Sequence, residues 1–142
     1  MAVVHSFTFT PAGQPPRRQE IRSASIKLLT AEDDTQRLAI WIETTRPGET
    51  PDDRGVAGWD SPVLVNLNPR LSRLPGVGEA PVEFPEAGQA DPWRDDFLYY
   101  WEHTSYVAGK MTIASGTGGC DITFAGTCEL GNQVSFSASF AG

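Results

Sequence analysis

A chain of 142 residues is long enough to close one hydrophobic core without disulfide or metal staples. Hydrophobic and charged contents of 39% and 20%, with 10% aromatics, exclude a disordered polyelectrolyte, and 14 Gly with 11 Pro argue for many turns rather than a helix bundle. The net charge of −7 repels phosphate backbones and argues against nucleic acid as a partner; the basic group Arg17, Arg18 and Arg22 is interrupted by Glu20 and reads as a solvated loop.

The N-terminal "AVVHSFTFT" alternates, predicting a strand with Val3, His5, Phe7 and Phe9 on one face. It has no basic n-region, and nowhere do ~18 apolar residues run together. Neither a secretory signal nor a membrane helix is expected; a cytoplasmic location is the default, with export by a route that leaves no N-terminal mark as the alternative.

"SASIKLLTAEDDTQRLAIWIETT" carries two alternating arms about an acidic turn. An antiparallel register that pairs Leu28 with Leu38, Ile26 with Ile40 and Ala24 with Ile42 keeps all six on one face. Ser23, Ser25, Lys27, Ala39, Trp41 and Glu43 then share the other. A helix from Thr30, with Asp33 in an imperfect capping box, is the rival reading. The acidic stretches "AEDDTQ" and "PDDRG" lack the spacing and terminal glutamate of a calcium loop and read as solvated turns, so no metal or other cofactor is expected.

Next comes "SPVLVNLNP", a short apolar strand that Pro62 opens and Pro69 ends. Two long irregular stretches flank it, from Thr44 to Ser61 and from Pro69 to Trp93. Loops of such length are usually functional or mobile, which makes them the first place to look for a site.

In "DPWRDDFLYYWEHTSYVAG", Asp91 can cap a helix that Pro92 starts, and Trp93, Phe97, Tyr100 and Trp101 recur at helical spacing. Phe97, Tyr99, Tyr100 and Trp101 are also strand formers. The expectation is one helical turn over Pro92–Asp95, then a strand.

The C-terminal "GKMTIASGTGGCDITFAGTCELGNQVSFSASFAG" predicts a three-stranded meander. Cys120, Ile122, Phe124, Gly126, Cys128 and Leu130 lie on one face. A two-residue turn at Gly116-Thr117 sets Ile113 against Cys120 and Met111 against Ile122. A three-residue loop at Gly131-Asn132-Gln133 sets Leu130 against Val134 and Cys128 against Phe136. The two cysteines then stand roughly 26 Å apart on one strand, too far to bridge. The glycine-rich "SGTGGC" is followed by a strand, not a helix, so it reads as a hairpin turn and not a phosphate loop.

The expected fold is therefore one all-β domain over the whole chain: an antiparallel sandwich or small barrel of about seven to nine strands, with a C-terminal meander and two long loops. For function the leading expectation is a non-catalytic protein whose acidic surface and long loops engage another protein. The second is a lectin-like module that stacks a carbohydrate or small ligand on exposed tryptophans. The candidate binding residues are Trp59, Asp60, Trp93, Arg94, Tyr100 and His103, with Trp41 in support. Catalysis by His103 with Asp95 or Asp96, in a neighbourhood that also holds Tyr99 and Glu102, ranks third; no G-x-S-x-G or H-E-x-x-H accompanies it.

Overall fold

The computed structural model describes residues 2–45, 63–100, 102–116 and 118–141. They form eleven strands and, among the described residues, no helix: β1 (Ala2–Thr10), β2 (Arg17–Arg18), β3 (Glu20–Thr30), β4 (Gln36–Thr45), β5 (Leu64–Leu67), β6 (Arg70–Leu71), β7 (Val82–Phe84), β8 (Phe97–Tyr100), β9 (Glu102–Gly116), β10 (Gly119–Cys128) and β11 (Gln133–Phe140). Every ladder is antiparallel, in the order β2-β1-β11-β10-β9-β8-β5-β4-β3, with β6 added to β4 and β7 to β9. The sheet curls into a nearly closed barrel. At the seam, the Gln19 N–H donates to the Phe7 carbonyl at 3.2 Å, tying the β2–β3 corner to β1.

Three bulges bend the strands, each turning the inward set from one parity to the other. In β1 the register shifts at His5, so Ala2 and Val4 face in first, then Phe7 and Phe9, while Val3 is exposed. The single-face reading of Val3, His5, Phe7 and Phe9 fails at this bulge. In β3 the shift falls at Arg22, between Ile21 and Ala24. In β9 it falls at Val107, which is exposed, separating inward Thr104 and Tyr106 from inward Met111 and Ile113. That bend lets β9 pair with β8 at one end and with β10 along the other.

The β3–β4 hairpin has the expected register, Leu28↔Leu38, Ile26↔Ile40 and Ala24↔Ile42. Its turn is closed by Asp33 Oδ1, which accepts from the Thr35 hydroxyl at 2.6 Å and the Thr35 N–H at 3.2 Å, with Asp34 at φ 67°. The meander forms as expected, but its β9–β10 register slips by two residues and its β10–β11 register by four. Ile113 faces Ile122 and Met111 faces Phe124, with Gly116 paired to Gly119 and Gly118 at φ 80°. On the other side Val134 faces Gly126, and the Cys128 N–H donates to the Asn132 carbonyl across a Glu129–Gly131 loop. Leu130 therefore sits in that loop, exposed rather than inward. Cys120 and Cys128 occupy one strand as free, buried thiols.

The stretch from Pro69 to Trp93 is not an open loop. β6 and β7 pin it to β4 and β9, and it buries Leu71, Val82, Phe84 and Trp93 in the core. Residues 91–95 form successive turns rather than a helical turn: the Arg94 N–H donates to the Asp91 carbonyl and the Asp96 N–H to the Trp93 carbonyl, before strand β8. The stretch from Thr44 to Ser61 lies outside the described residues beyond Thr45, as does Pro62.

Candidate functional site

The four described candidate residues do not converge on one site. Trp59 and Asp60 lie outside the described residues, as does Trp101. Trp93 is only 7% exposed, its indole enclosed by the rings of Phe84 at 5.0 Å, Phe124 at 5.8 Å and Tyr106 at 5.9 Å. A residue so enclosed cannot stack on a ligand. Its place follows from the sheet: Gly109 and Gly126 pair across β9 and β10, and a Cβ on Gly109 would lie 3.1 Å from Trp93 Cζ2.

Tyr100 also turns inward. Its ring packs 4.7 Å from that of Phe9, and its hydroxyl accepts from Arg17 Nη2 at 3.0 Å. Arg94 is exposed beside Asp95. His103 alone of the four described candidates stays on the outer sheet surface with other aromatic groups.

Those groups come from the outer face of β4, β5, β8 and β9. Trp41 pairs with Asn66, Asn66 with Phe97, and Tyr99 with His103. Asn66 is short, so the Trp41 and Phe97 rings meet above it at 6.2 Å and 85°. Phe97 then meets His103 at 4.7 Å and 73°, and His103 meets Tyr99 at 5.2 Å and 64°. Trp41 is 38% exposed and donates its Nε1–H to Glu43 Oε1 at 2.9 Å, which fixes the indole. The result is a row of partly exposed rings, each standing edge-on to the next.

The acid–base neighbourhood is divided. Among the described residues no hydrogen bond joins His103 to Asp95 or Asp96. Asp96 is buried; its Oδ1 accepts from the Asn68 N–H at 2.8 Å and from Asn68 Nδ2 at 3.4 Å, and Oδ2 has no partner. Burial raises its pKa to about 6, against the hydrogen bonds from Asn68. Nearby, the Tyr106 hydroxyl is also buried without a partner, and burial, then the charges of Cys128 and Asp96, push its pKa up. These groups are enclosed, which suits structural coupling better than proton transfer to a ligand.

A second polar chain lies on the part of the barrel formed by β1, β11 and β10. His5 Nε2 contacts Ser139 Oγ at 2.7 Å, and Ser139 donates to Asp121 Oδ1 at 2.7 Å. The serine sits between acid and imidazole, so the carboxylate holds the hydroxyl proton instead of orienting the histidine. That is the reverse of a nucleophilic triad. Among the described residues, no group of three His, Cys, Asp or Glu side chains is arranged to hold a metal ion, and no helix is long and apolar enough to cross a membrane.

Sequence reasoning named Trp41, Tyr99 and His103 without joining them. The alternation in each strand is the signal that puts them on outer faces; that β5 lies between β4 and β8 is not legible in any one segment. The His5–Ser139–Asp121 chain needs the pairing of the first strand with the last, for which no local signal exists. No protein-family model matches the chain, and no curated protein or solved structure is significantly similar to it.

Proposed function

We propose that this is a non-catalytic binding protein that engages a protein partner through the aromatic row Trp41–Phe97–His103–Tyr99 on its outer sheet face. The observation that carries the reading is the row itself. Aromatic side chains already fixed by mutual edge-on packing lose little entropy on binding and make good interface anchors. The net charge of −7 favours a basic partner and speeds its encounter. A cytoplasmic setting accompanies the reading, in keeping with two unpaired thiols.

The carbohydrate reading has less behind it. A sugar stacks on an open ring face, whereas the interplanar angles of 85°, 73° and 64° turn these faces toward neighbouring rings. Of the two described tryptophans that reading named, Trp93 is core, and Trp41 stands in the edge-on row with its indole tied to Glu43.

The test is affinity capture from the source lysate at low and high salt, comparing the wild type with Trp41→Ala. A basic protein retained by the wild type, released by salt and lost with the variant is the expected result. Equal capture by both, or a tryptophan fluorescence shift on adding sugars that disappears in Trp41→Ala, would sink the protein-partner reading.

A further inference from the structure

One cleft gathers charge of the opposite sign to the rest of the molecule. It lies beside the β3–β4 turn and is lined by Leu29, Thr35, Arg37, Arg70, Arg94 and Asp95, among others. The chain as a whole carries −7, yet here three guanidinium groups meet one carboxylate.

Their positions follow from the fold. Arg37 and Arg70 are direct cross-strand partners in the β4–β6 ladder. Like charges so placed repel, and the arrangement is destabilising unless an anion lies between them. Arg94 is delivered by the turn that starts at Asp91.

The acids nearby do not satisfy this charge. Arg70 Nη2 approaches Asp95 Oδ2 at 3.6 Å, and Arg94 Nε approaches Asp95 Oδ1 at 3.9 Å, with all three side chains about half exposed or more. Both separations exceed hydrogen-bond length. Two guanidiniums thus flank the two oxygens of one carboxylate without closing on it. Asp33, in the adjoining turn, is taken up by Thr35. Among the described residues Arg37 has no ion pair.

We propose that this cleft binds a phosphate group in its doubly charged form, either free or as a monoester carried by a partner. A tetrahedral oxyanion offers more acceptor directions than Asp95, and planar guanidinium forks suit it. Asp95 acts as an internal stand-in that holds Arg70 and Arg94 apart until the anion arrives. The site is independent of the aromatic row.

The experiment is an amide and arginine-side-chain NMR titration with sodium phosphate at about pH 8, where a phosphate monoester is doubly charged. Sodium chloride of matched ionic strength is the control, and a short phosphoserine peptide forms a second arm. Saturable shifts at Arg37, Arg70 and Arg94 are expected, weakened about tenfold by Arg37→Gln. Asp95→Asn, which removes the internal competitor, should tighten binding. Tighter binding of the peptide than of inorganic phosphate assigns the group to a modified partner, and equal binding assigns it to a free phosphate compound. Shifts that chloride reproduces, that survive Arg37→Gln, or that weaken in Asp95→Asn overturn the proposal.

Discussion

Gly109 and Gly126 face each other across β9 and β10; the indole of Trp93 fills the space that the missing side chain of Gly109 leaves, and the rings of Phe124 and Tyr106 fill that of Gly126. A Cβ on Gly126 would clash with the Phe124 ring at 2.5 Å and crowd the Tyr106 ring at 3.1 Å, and one on Gly109 would press on the Ala125 carbonyl at 3.1 Å. Adding a methyl at either glycine should therefore destabilise the fold by about 1–3 kcal/mol, the range for overpacking a core. Trp93→Ala should cost about 3–5 kcal/mol, because it empties a closed seat. Denaturant unfolding with an unchanged m-value checks both. A Gly126→Ala protein as stable as the wild type would mean that the ring cluster is looser than its packing shows.

Asp96 makes stability fall as pH rises through the mildly acidic range. Its ordinary pKa is 3.8, and burial raises it to about 6 in the folded chain. Below the first value the carboxyl is neutral whether the chain is folded or not. Between the two values the folded chain keeps a proton that the unfolded chain releases, so the stability from this group is progressively lost; above the second the loss is complete. Its size is about 2–3 kcal/mol. Asp96→Asn keeps an oxygen that can accept the Asn68 N–H but cannot ionise. The variant should match the wild type near the low end of the window and exceed it at neutral pH. Chemical denaturation across the window decides the matter, and parallel profiles for the two proteins would remove Asp96 as the cause.

How much of this was legible in the sequence depends on whether a feature is fixed locally. The β3–β4 register was legible because the apolar arms set the parity and a single acidic turn sets the position. The meander slipped by two on one side and by four on the other because an even slip leaves every face unchanged, so burial cannot choose between neighbouring registers. Several adjacent glycines near Gly118 then offered more than one turn. The bulges at His5, Arg22 and Val107 carry no compositional mark, yet each reverses the inward parity. Trp93 could not be placed from its own segment, since its seat is made by Gly109 and by the rings of Phe84, Tyr106 and Phe124. The aromatic row was half legible, as faces without their juxtaposition.

Arg17 holds β2 against β8. Its guanidinium lies 5.5 Å from the ring centroids of both Phe9 and Tyr100, and Nη2 donates to the Tyr100 hydroxyl. A lysine ammonium cannot keep that hydrogen bond and lie flat over two rings at once. Arg17→Lys should therefore lose about 1 kcal/mol despite unchanged charge, with faster amide exchange at Thr8 and Phe9, the β1 residues paired with β2. Unchanged exchange there would show that the β2 ladder stands without the bridge.

The two thiols should react in a fixed order. Burial raises the pKa of Cys128 to about 11, only partly offset by its hydrogen bond with Thr104, and Cys120 is raised by burial and then by Asp121. The nucleophile is the thiolate, so at neutral pH the Cys128 sulfur is both hidden and almost wholly protonated. Both cysteines stand near an end of β10, but Cys120 is 8% exposed against 2% for Cys128. A disulfide reagent added to the native protein should modify Cys120 slowly and Cys128 only as the barrel opens, with both fast in denaturant. The Cys128 rate should then follow global stability: Trp93→Ala should accelerate it about in proportion to the rise in the opened fraction, and leave Cys120 less affected. Mass mapping of the labelled peptides gives the order. If Cys128 reacted first, β10 would have to open from its Cys128 end while the rest of the barrel stayed closed.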